Sequence, residues 1–189
     1  MIVAFAPGGP TDSLARLVAD KLGEKLGERI VVENRPGAGG NIGYELTARA
    51  AADGYTLAFA DPSLTVNPSL YPAVKYDPAK DFTPISLAVR GPTVMVVPPS
   101  LGVGTVGEFI ALARKKPGGL TYGSAGTGTP PHLNAELFKA AEGLDIVHSP
   151  YKGAAPAVID LIAGRIDVMY LNIGTAVGQI EAGKLRGLR

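Results

Sequence analysis

The chain has 189 residues, 46% of them hydrophobic, with 25 glycines and 16 prolines; that is enough apolar material for one sizeable core or two small ones and argues against disorder. Its 18 basic and 17 acidic residues leave a net charge of +1, and no like-charged run marks a nucleic-acid or anionic-membrane surface, so a small-molecule partner is expected. The absence of cysteine excludes disulfides, thiolate zinc ligands and thiol nucleophiles, and with no tryptophan and 6% aromatics a stacking platform would have to come from tyrosine and phenylalanine.

Ile2 to Phe5 is a short apolar run, strand-like from the first residues, with no basic or long apolar leader ahead of it. A loop over Ala6 to Asp12 follows, then Leu14, Leu17, Val18, Leu22 and Leu26 at helical spacing. The unit repeats with a strand at Arg29 to Glu33, a glycine-rich loop at Asn34 to Gly40, and a helix at Asn41 to Ala51 whose Ile42, Leu46 and Ala50 share a face. Asp53-Gly54 turns into a third strand, Tyr55 to Ala60. Asp61 to Asp81 reads as a polar loop and Phe82 to Pro98 as extended chain interrupted at Gly91-Pro92.

A second alternation follows. Thr105 to Lys116 is a helix opened by a Thr105/Glu108 capping box and stopped by Pro117-Gly118-Gly119. Leu120 to Gly123 is a strand, Ser124 to Pro131 a third glycine-rich loop, and His132 to Glu142 a helix with Leu133, Leu137 and Phe138 facing inward. Then come a strand at Ile146 to Ser149, a helix at Ala154 to Ala163, a strand at Asp167 to Asn172, a helix at Thr175 to Ala182, and a strand begun at Leu185 to Leu188. Strand and helix alternating at this pace predict an α/β fold with mainly parallel sheets. The expected division is residues 1–98 and 99–184, with 185–189 starting a strand that returns to the first lobe.

Three loops, Pro7 to Asp12, Pro36 to Asn41 and Ser124 to Pro131, lie where a strand hands over to a helix. Helix starts carry unpaired N–H groups and about half a positive charge, so glycine-rich turns there form anion sites without lysine or arginine. Any one such loop is ordinary turn chemistry; three in series point to function. Gly37 to Gly43 is a relaxed dinucleotide fingerprint in the wrong place, behind a complete strand-loop-helix unit, and Gly123 to Gly128 lacks the Lys-Ser or Lys-Thr of a phosphate loop. Ser124 lacks a G-x-S-x-G elbow, only His132 and His148 are candidate bases, and no metal-ligand spacing occurs. His132, in the first turn of a helix, is a candidate ligand contact or cap, and His148 reads as a packed strand residue. Tyr151-Lys152-Gly153 forms a polar cluster at a strand end, and Asp167 is a candidate for a ligand amino group or for pairing with Arg165.

Phe5-Ala6-Pro7-Gly8-Gly9-Pro10-Thr11-Asp12, Val32-Glu33-Asn34-Arg35-Pro36-Gly37-Ala38-Gly39-Gly40-Asn41-Ile42-Gly43, Asp53-Gly54-Tyr55-Thr56-Leu57, Asn67-Pro68-Ser69-Leu70-Tyr71 and Tyr122-Gly123-Ser124-Ala125-Gly126-Thr127-Gly128 together resemble the Bug family, substrate-binding proteins of tripartite tricarboxylate transporters. The resemblance implies a two-lobed periplasmic binding protein of type II fold, no catalysis and no cofactor, that closes on a small carboxylate and hands it to membrane subunits. It implies one wall from Pro7, Gly8, Gly9, Thr11 and Asp12 and an opposing wall from Ser124, Ala125, Gly126, Thr127, Gly128 and Thr129 with Tyr151, Lys152 and Gly153; Phe5, Ala6, Ser63, His132 and Asp167 complete the expected ligand contacts. Charge recognition is expected from helix-start N–H groups and the hydroxyls of Thr11, Ser124, Thr127 and Thr129. Pro10 departs from the family pattern and removes a donor. Family members run roughly half as long again, which implies an incomplete first lobe with an unpaired edge and exposed apolar surface, compensated by self-association, a distorted first lobe or a partner chain carrying the remainder. A nucleotide-binding Rossmann-type enzyme using Gly37 to Gly43 and a non-binding assembly fragment are the rival readings.

Overall fold

Short strands that feed directly into helices build two separate sheets. A computed structural model describes residues 1–189. In the first sheet β1 (Ile2–Val3) lies between β2 (Glu33–Asn34) and β3 (Ala58–Phe59), both parallel to it. The second sheet has the order β6 (Val147–Pro150), β5 (Thr121–Ser124), β7 (Val168–Asn172), β4 (Thr93–Val97), β8 (Arg186–Gly187). β5, β6 and β7 are parallel, and β4 runs antiparallel to β7 and β8. Helices α1 (Pro10–Leu26), α2 (Asn41–Ala48) and α3 (Ser63–Leu70) accompany the first sheet; α4 (Val106–Lys115), α5 (Pro130–Glu142), α6 (Ala154–Ile162) and α7 (Ile173–Glu181) accompany the second. Parallel neighbours cannot be joined by tight hairpins, and the helices supply the crossovers.

The pleat of the second sheet divides its side chains between two cores. Met95, Val97, Tyr122 and Val168 point to one face, where Phe109 and Ala113 of α4 and Ala135 of α5 cover them. Val96, Met169 and Leu171 point to the other, under Ala157, Val158 and Leu161 of α6 and Ala176 of α7. The first sheet has a much smaller core of Ala4, Phe5, Tyr44 and Tyr76. Edge-to-face contacts from Tyr44 to Tyr76 and from Tyr76 to Phe82 hold it together.

Several expectations change. β4 and β8 both pair in the second sheet, so the sheets divide the chain ahead of Thr93 rather than after Pro98, and residues 186–187 pair with β4 rather than returning to the first sheet. The loop expected over Asp61 to Asp81 contains α3, with Pro68 inside it. A proline at this position ends the helix within one turn, because its ring removes the N–H that would bond back. Ile42, Leu46, Leu137 and Leu17 face outward, being 52%, 43%, 69% and 57% exposed, and small residues take the inner faces: Gly43 in α2, Ala135 in α5, Ala15 and Ala19 in α1. Close helix-to-sheet packing selects small side chains over the largest apolar ones. The Thr105/Glu108 capping box of α4 is present as read.

Phe109 is fully buried and Leu137 largely exposed. Phe109→Ala should cost about 3–5 kcal/mol in urea unfolding through the cavity it leaves, whereas Leu137→Ala should fall within about 0.5 kcal/mol of the parent.

Candidate functional site

The first loop, between β1 and α1, is shaped by one buried carboxylate. Asp12 is 3% exposed; its Oδ2 accepts the Gly8 N–H at 2.9 Å and Arg16 Nε at 3.0 Å, and its Oδ1 accepts Asn34 Nδ2 at 2.8 Å. Asn34 also donates to the Phe5 carbonyl at 3.0 Å, tying the loop to β2. Burial pushes the Asp12 carboxyl up, but the hydrogen bonds from Arg16, Gly8 and Asn34 together outweigh it and hold the group below its ordinary value. Asp12 therefore faces inward and organises the loop rather than presenting charge to a ligand.

The first loop meets Tyr151-Lys152-Gly153 backbone to backbone. The Ala6 N–H donates to the Lys152 carbonyl at 3.0 Å. Gly153 sits at φ 148°, and a Cβ there would lie 2.9 Å from the Ala6 nitrogen, so both conformation and space demand glycine. The Lys152 side chain is exposed, and the Tyr151 hydroxyl is turned away to Asp160 Oδ2 at 2.7 Å. Of that cluster, backbone alone faces the first loop.

The third loop is held from within. Ser124 Oγ lies 2.7 Å from His148 Nε2 and accepts the Gly126 N–H at 3.1 Å. Thr129 Oγ1 donates to the Gly126 carbonyl at 2.6 Å, and the Gly128 N–H donates to His132 Nδ1 at 3.3 Å. Ser124 and Thr129 are fully buried, so their hydroxyls serve the loop; of the four hydroxyls expected to receive charge, those of Thr11 and Thr127 have no partner in the chain. A buried Ser124 beside His148 has the distance of a nucleophile and base but no access for a substrate. His148 is half-buried and bonded rather than simply packed.

Across from it, the Tyr71 hydroxyl donates to the Thr127 carbonyl at 3.0 Å, and Gly39 lies so close to that oxygen that no side chain fits between them. The second loop thus packs on the third and leaves no space for a pyrophosphate at its glycines.

Four helix starts border one small hollow of about 40 Å³. Its lining includes Gly9, Pro10 and Thr11 of α1, Pro130 and Pro131 of α5, Ala154 of α6 and Asn172 ahead of α7, with Phe5 and Ala125 closing the sides. None of these helices has a side-chain cap at its N-terminus. The first N–H groups of each helix have no carbonyl four residues back; that of Ile173 in α7 finds the Pro92 carbonyl at 3.0 Å, while Thr11 and Ala154 line the hollow and Asp12 and Ala155 follow them in α1 and α6. Prolines at the first two positions of α5 leave His132 as its first donor. No lysine or arginine lines the hollow. A larger hollow of about 480 Å³ lies on the outer side of α1, between Arg16 and Val32, lined by charges of both signs; it is remote from the carboxyl ends of the strands, where α/β sheets hold ligands.

Ser63 and Asp167 are elsewhere. Ser63 is fully buried, its Oγ 3.1 Å from the Tyr44 hydroxyl and bonded to Asp61, whose carboxyl is pushed up by burial against hydrogen bonds from Ser63 and Tyr44. Asp167 accepts from the N–H and Oγ1 of Thr121 at 2.7 and 3.0 Å. That places it at the amino ends of β5 and β7, away from the hollow, while Arg165 pairs with Asp160 instead. Pro10, Pro130, Pro131, Ala154 and Asn172 line the hollow but were not among the ligand contacts expected from the sequence, although the first three lie in the loops marked there. Asn172 passes from strand to helix with a single glycine, Gly174, so a search for glycine-rich turns overlooks it. No group of three or more histidine or acidic side chains comes together as a metal site.

An α/β chain of this kind, with loops from two sheets meeting over a cleft at their strand ends, is that of a periplasmic binding protein. The model of the tripartite tricarboxylate transporter family receptor matches residues 14–189, and the chain belongs to that family. It is 40% identical over 190 residues to the protein BugT of Bordetella pertussis, covering all of this chain and 58% of BugT. Among solved structures it resembles Rpa4515 of R. palustris with adipate (41% identity, TM-score 0.95, 99% of this chain and 63% of that one). It also resembles MatC of Rhodopseudomonas palustris with bound malate (30% identity, TM-score 0.89, 98% and 64%). The chain spans a little over half the length of the curated relatives it matches along its whole length.

Gly153→Ala should break the Ala6–Lys152 hydrogen bond and lower stability by about 1–3 kcal/mol through strain at positive φ, read as a lower melting temperature. Asp12 carries the opposite kind of information. Because its folded pKa is depressed, its contribution is present above the ordinary carboxylate range and is lost as pH falls through the folded value; Asp12→Asn should remove that acid-dependent part of the stability curve and leave the rest.

Proposed function

We propose that this chain captures a small carboxylate in the periplasm, between its two sheets, for delivery to the membrane subunits of a tripartite tricarboxylate transporter. The observation that carries this is the convergence of four uncapped helix starts on one hollow without a basic side chain. Helix-start N–H groups bind anions through fixed dipoles, each with little reorganisation. Adipate in Rpa4515 and malate in MatC support a dicarboxylate class. The Gly37 to Gly43 loop, occupied by its contact with Thr127, disfavours a nucleotide, and the buried Ser124 disfavours hydrolysis. In this reading Thr11 and Thr127 add hydroxyl donors to the N–H groups. Exposed Leu17, Leu26, Val31, Ile85 and Leu87 around the first sheet support self-association or coverage by a partner.

A thermal-shift series with adipate, malate, a monocarboxylate and nucleotides tests the reading. A ligand at one hundred times its Kd should stabilise the chain by about 2.7 kcal/mol. Dicarboxylates should raise the melting temperature and nucleotides should not; the reverse pattern would establish the enzyme reading instead. Thr11→Ala or Thr127→Ala should weaken adipate binding about tenfold in calorimetry, as expected for one hydrogen bond to a charged group, without lowering the melting temperature of the free chain.

A further inference from the structure

The third loop, residues 124–129, is tied at both ends to histidines that the binding reading does not use. At its start, Ser124 Oγ accepts the Gly126 N–H and lies 2.7 Å from His148 Nε2; the hydroxyl can accept twice and donate once, and in the clamp it donates to that nitrogen of a neutral imidazole protonated on Nδ1. At its end, the Gly128 N–H donates to His132 Nδ1 at 3.3 Å, which requires a bare nitrogen there as well. The two rings are 4.6 Å apart, and His148 stacks on Tyr122 at 4.6 Å with the planes within 10°.

We infer that His132 and His148 are positioning residues that, when neutral, clamp the third loop into the wall of the carboxylate cleft and, when protonated in acid, release it. The clamp is a property of the free chain; only its consequence for a ligand rests on the proposed carboxylate site. A proton on His132 Nδ1 would set donor against donor at Gly128. One on His148 Nε2 would displace the Ser124 hydroxyl proton inside a fully buried residue, and two imidazolium rings at this separation repel each other, so their protonation is coupled and the second proton is taken up further into acid than the first. The other charged or titratable groups facing the rings are Glu136 and Lys139 from α5 and Tyr122 from β5. Glu136 favours the protonated rings, but its Oε1 is already occupied by the Tyr122 hydroxyl and by Lys139 Nζ at 2.8 Å, and Lys139 opposes it. Burial is the larger effect and lowers both histidines, His148 to about 4.

The sign follows from that direction. A released loop takes up protons near the ordinary histidine value of about 6.5, and a clamped loop does so only further into acid, so the clamp is intact above about 6.5 and fails progressively as pH falls toward 4. Because the Thr127 carbonyl receives the Tyr71 hydroxyl, release of the loop also loosens the contact between the two sheets.

Amide spectra of the full ligand-free chain between pH 7.5 and 4 test this directly. The Gly126 and Gly128 amides should shift together with the His132 and His148 ring signals, with midpoints below 6.5. In H132N H148Q the amide oxygens take the places of Nδ1 and Nε2 but cannot be protonated, so the loop signals should match the parent at pH 7 and cease to move in acid. Amides 126 and 128 that stay fixed while the rings titrate, or rings that titrate at the ordinary value, would overturn the clamp. In a second arm, adipate affinity of the parent should fall about tenfold or more between pH 7 and 4.5, beyond any fall in H132N H148Q, whose comparison removes the effect of protonating adipate itself. Equal falls in both proteins would overturn the link between clamp and cleft. If adipate binds neither protein at any pH, the carboxylate reading fails, and the spectra still decide the clamp.

Discussion

The hydrogen bond from the Ala6 N–H to the Lys152 carbonyl joins two sheets that share no strand, and it exists because residue 153 has no side chain. A Cβ at Gly153 would strike the Ala6 nitrogen. Around that contact the starts of α1 and α6 lie side by side, with a Cβ at Gly9 placed 3.7 Å from the Ala155 nitrogen. Bringing two positive helix ends so close is unfavourable on its own. An anion between them would remove the repulsion, and the proposed carboxylate site rests on that same approach of the two sheets.

The site then needs little else. Side chains that could have supplied charge or hydroxyls are committed to shaping the loops: Asp12 to Gly8, Arg16 and Asn34, Ser124 to His148, Thr129 to Gly126, Tyr151 to Asp160. In the proposed reading, recognition of charge falls mainly to main-chain N–H groups, which no side-chain rotamer has to be frozen to present, with the free hydroxyls of Thr11 and Thr127 beside them. Membership of the tripartite tricarboxylate transporter receptor family and a periplasmic-binding-protein fold agree with an arrangement built around binding.

Much of this was legible in the residues. Strand-to-helix handovers at Pro7, Pro36 and Ser124 mark real loops at real helix starts, and the Thr105/Glu108 box marks the start of α4, because both signals are local and carry their own hydrogen-bond requirements. What failed was inference from apolar spacing to inward direction. Ile42, Leu46 and Leu137 keep helical period yet face outward, since tight packing on a sheet favours Gly43 and Ala135, which periodicity does not weigh. The roles of polar residues were legible only in part. Asp12 and Asp167 look alike as candidates, and long-range partners at Asn34 and Thr121, 22 and 46 residues away, make both of them structural. Asn172 reached the hollow beside a lone glycine, Gly174, rather than a glycine-rich run, and the pairing of β4 with β7 depends on a register that no local pattern encodes.

The most direct measurement of the central claim is a backbone amide titration of the chain with adipate at pH 7. Main-chain capture by helix starts predicts that the largest shifts fall on Thr11, Asp12, Ala154 and Ala155, with little change along Gly37 to Gly43. Largest shifts instead along Arg16 to Val32, the outer hollow with its arginines, would contradict it and place anion binding on basic side chains.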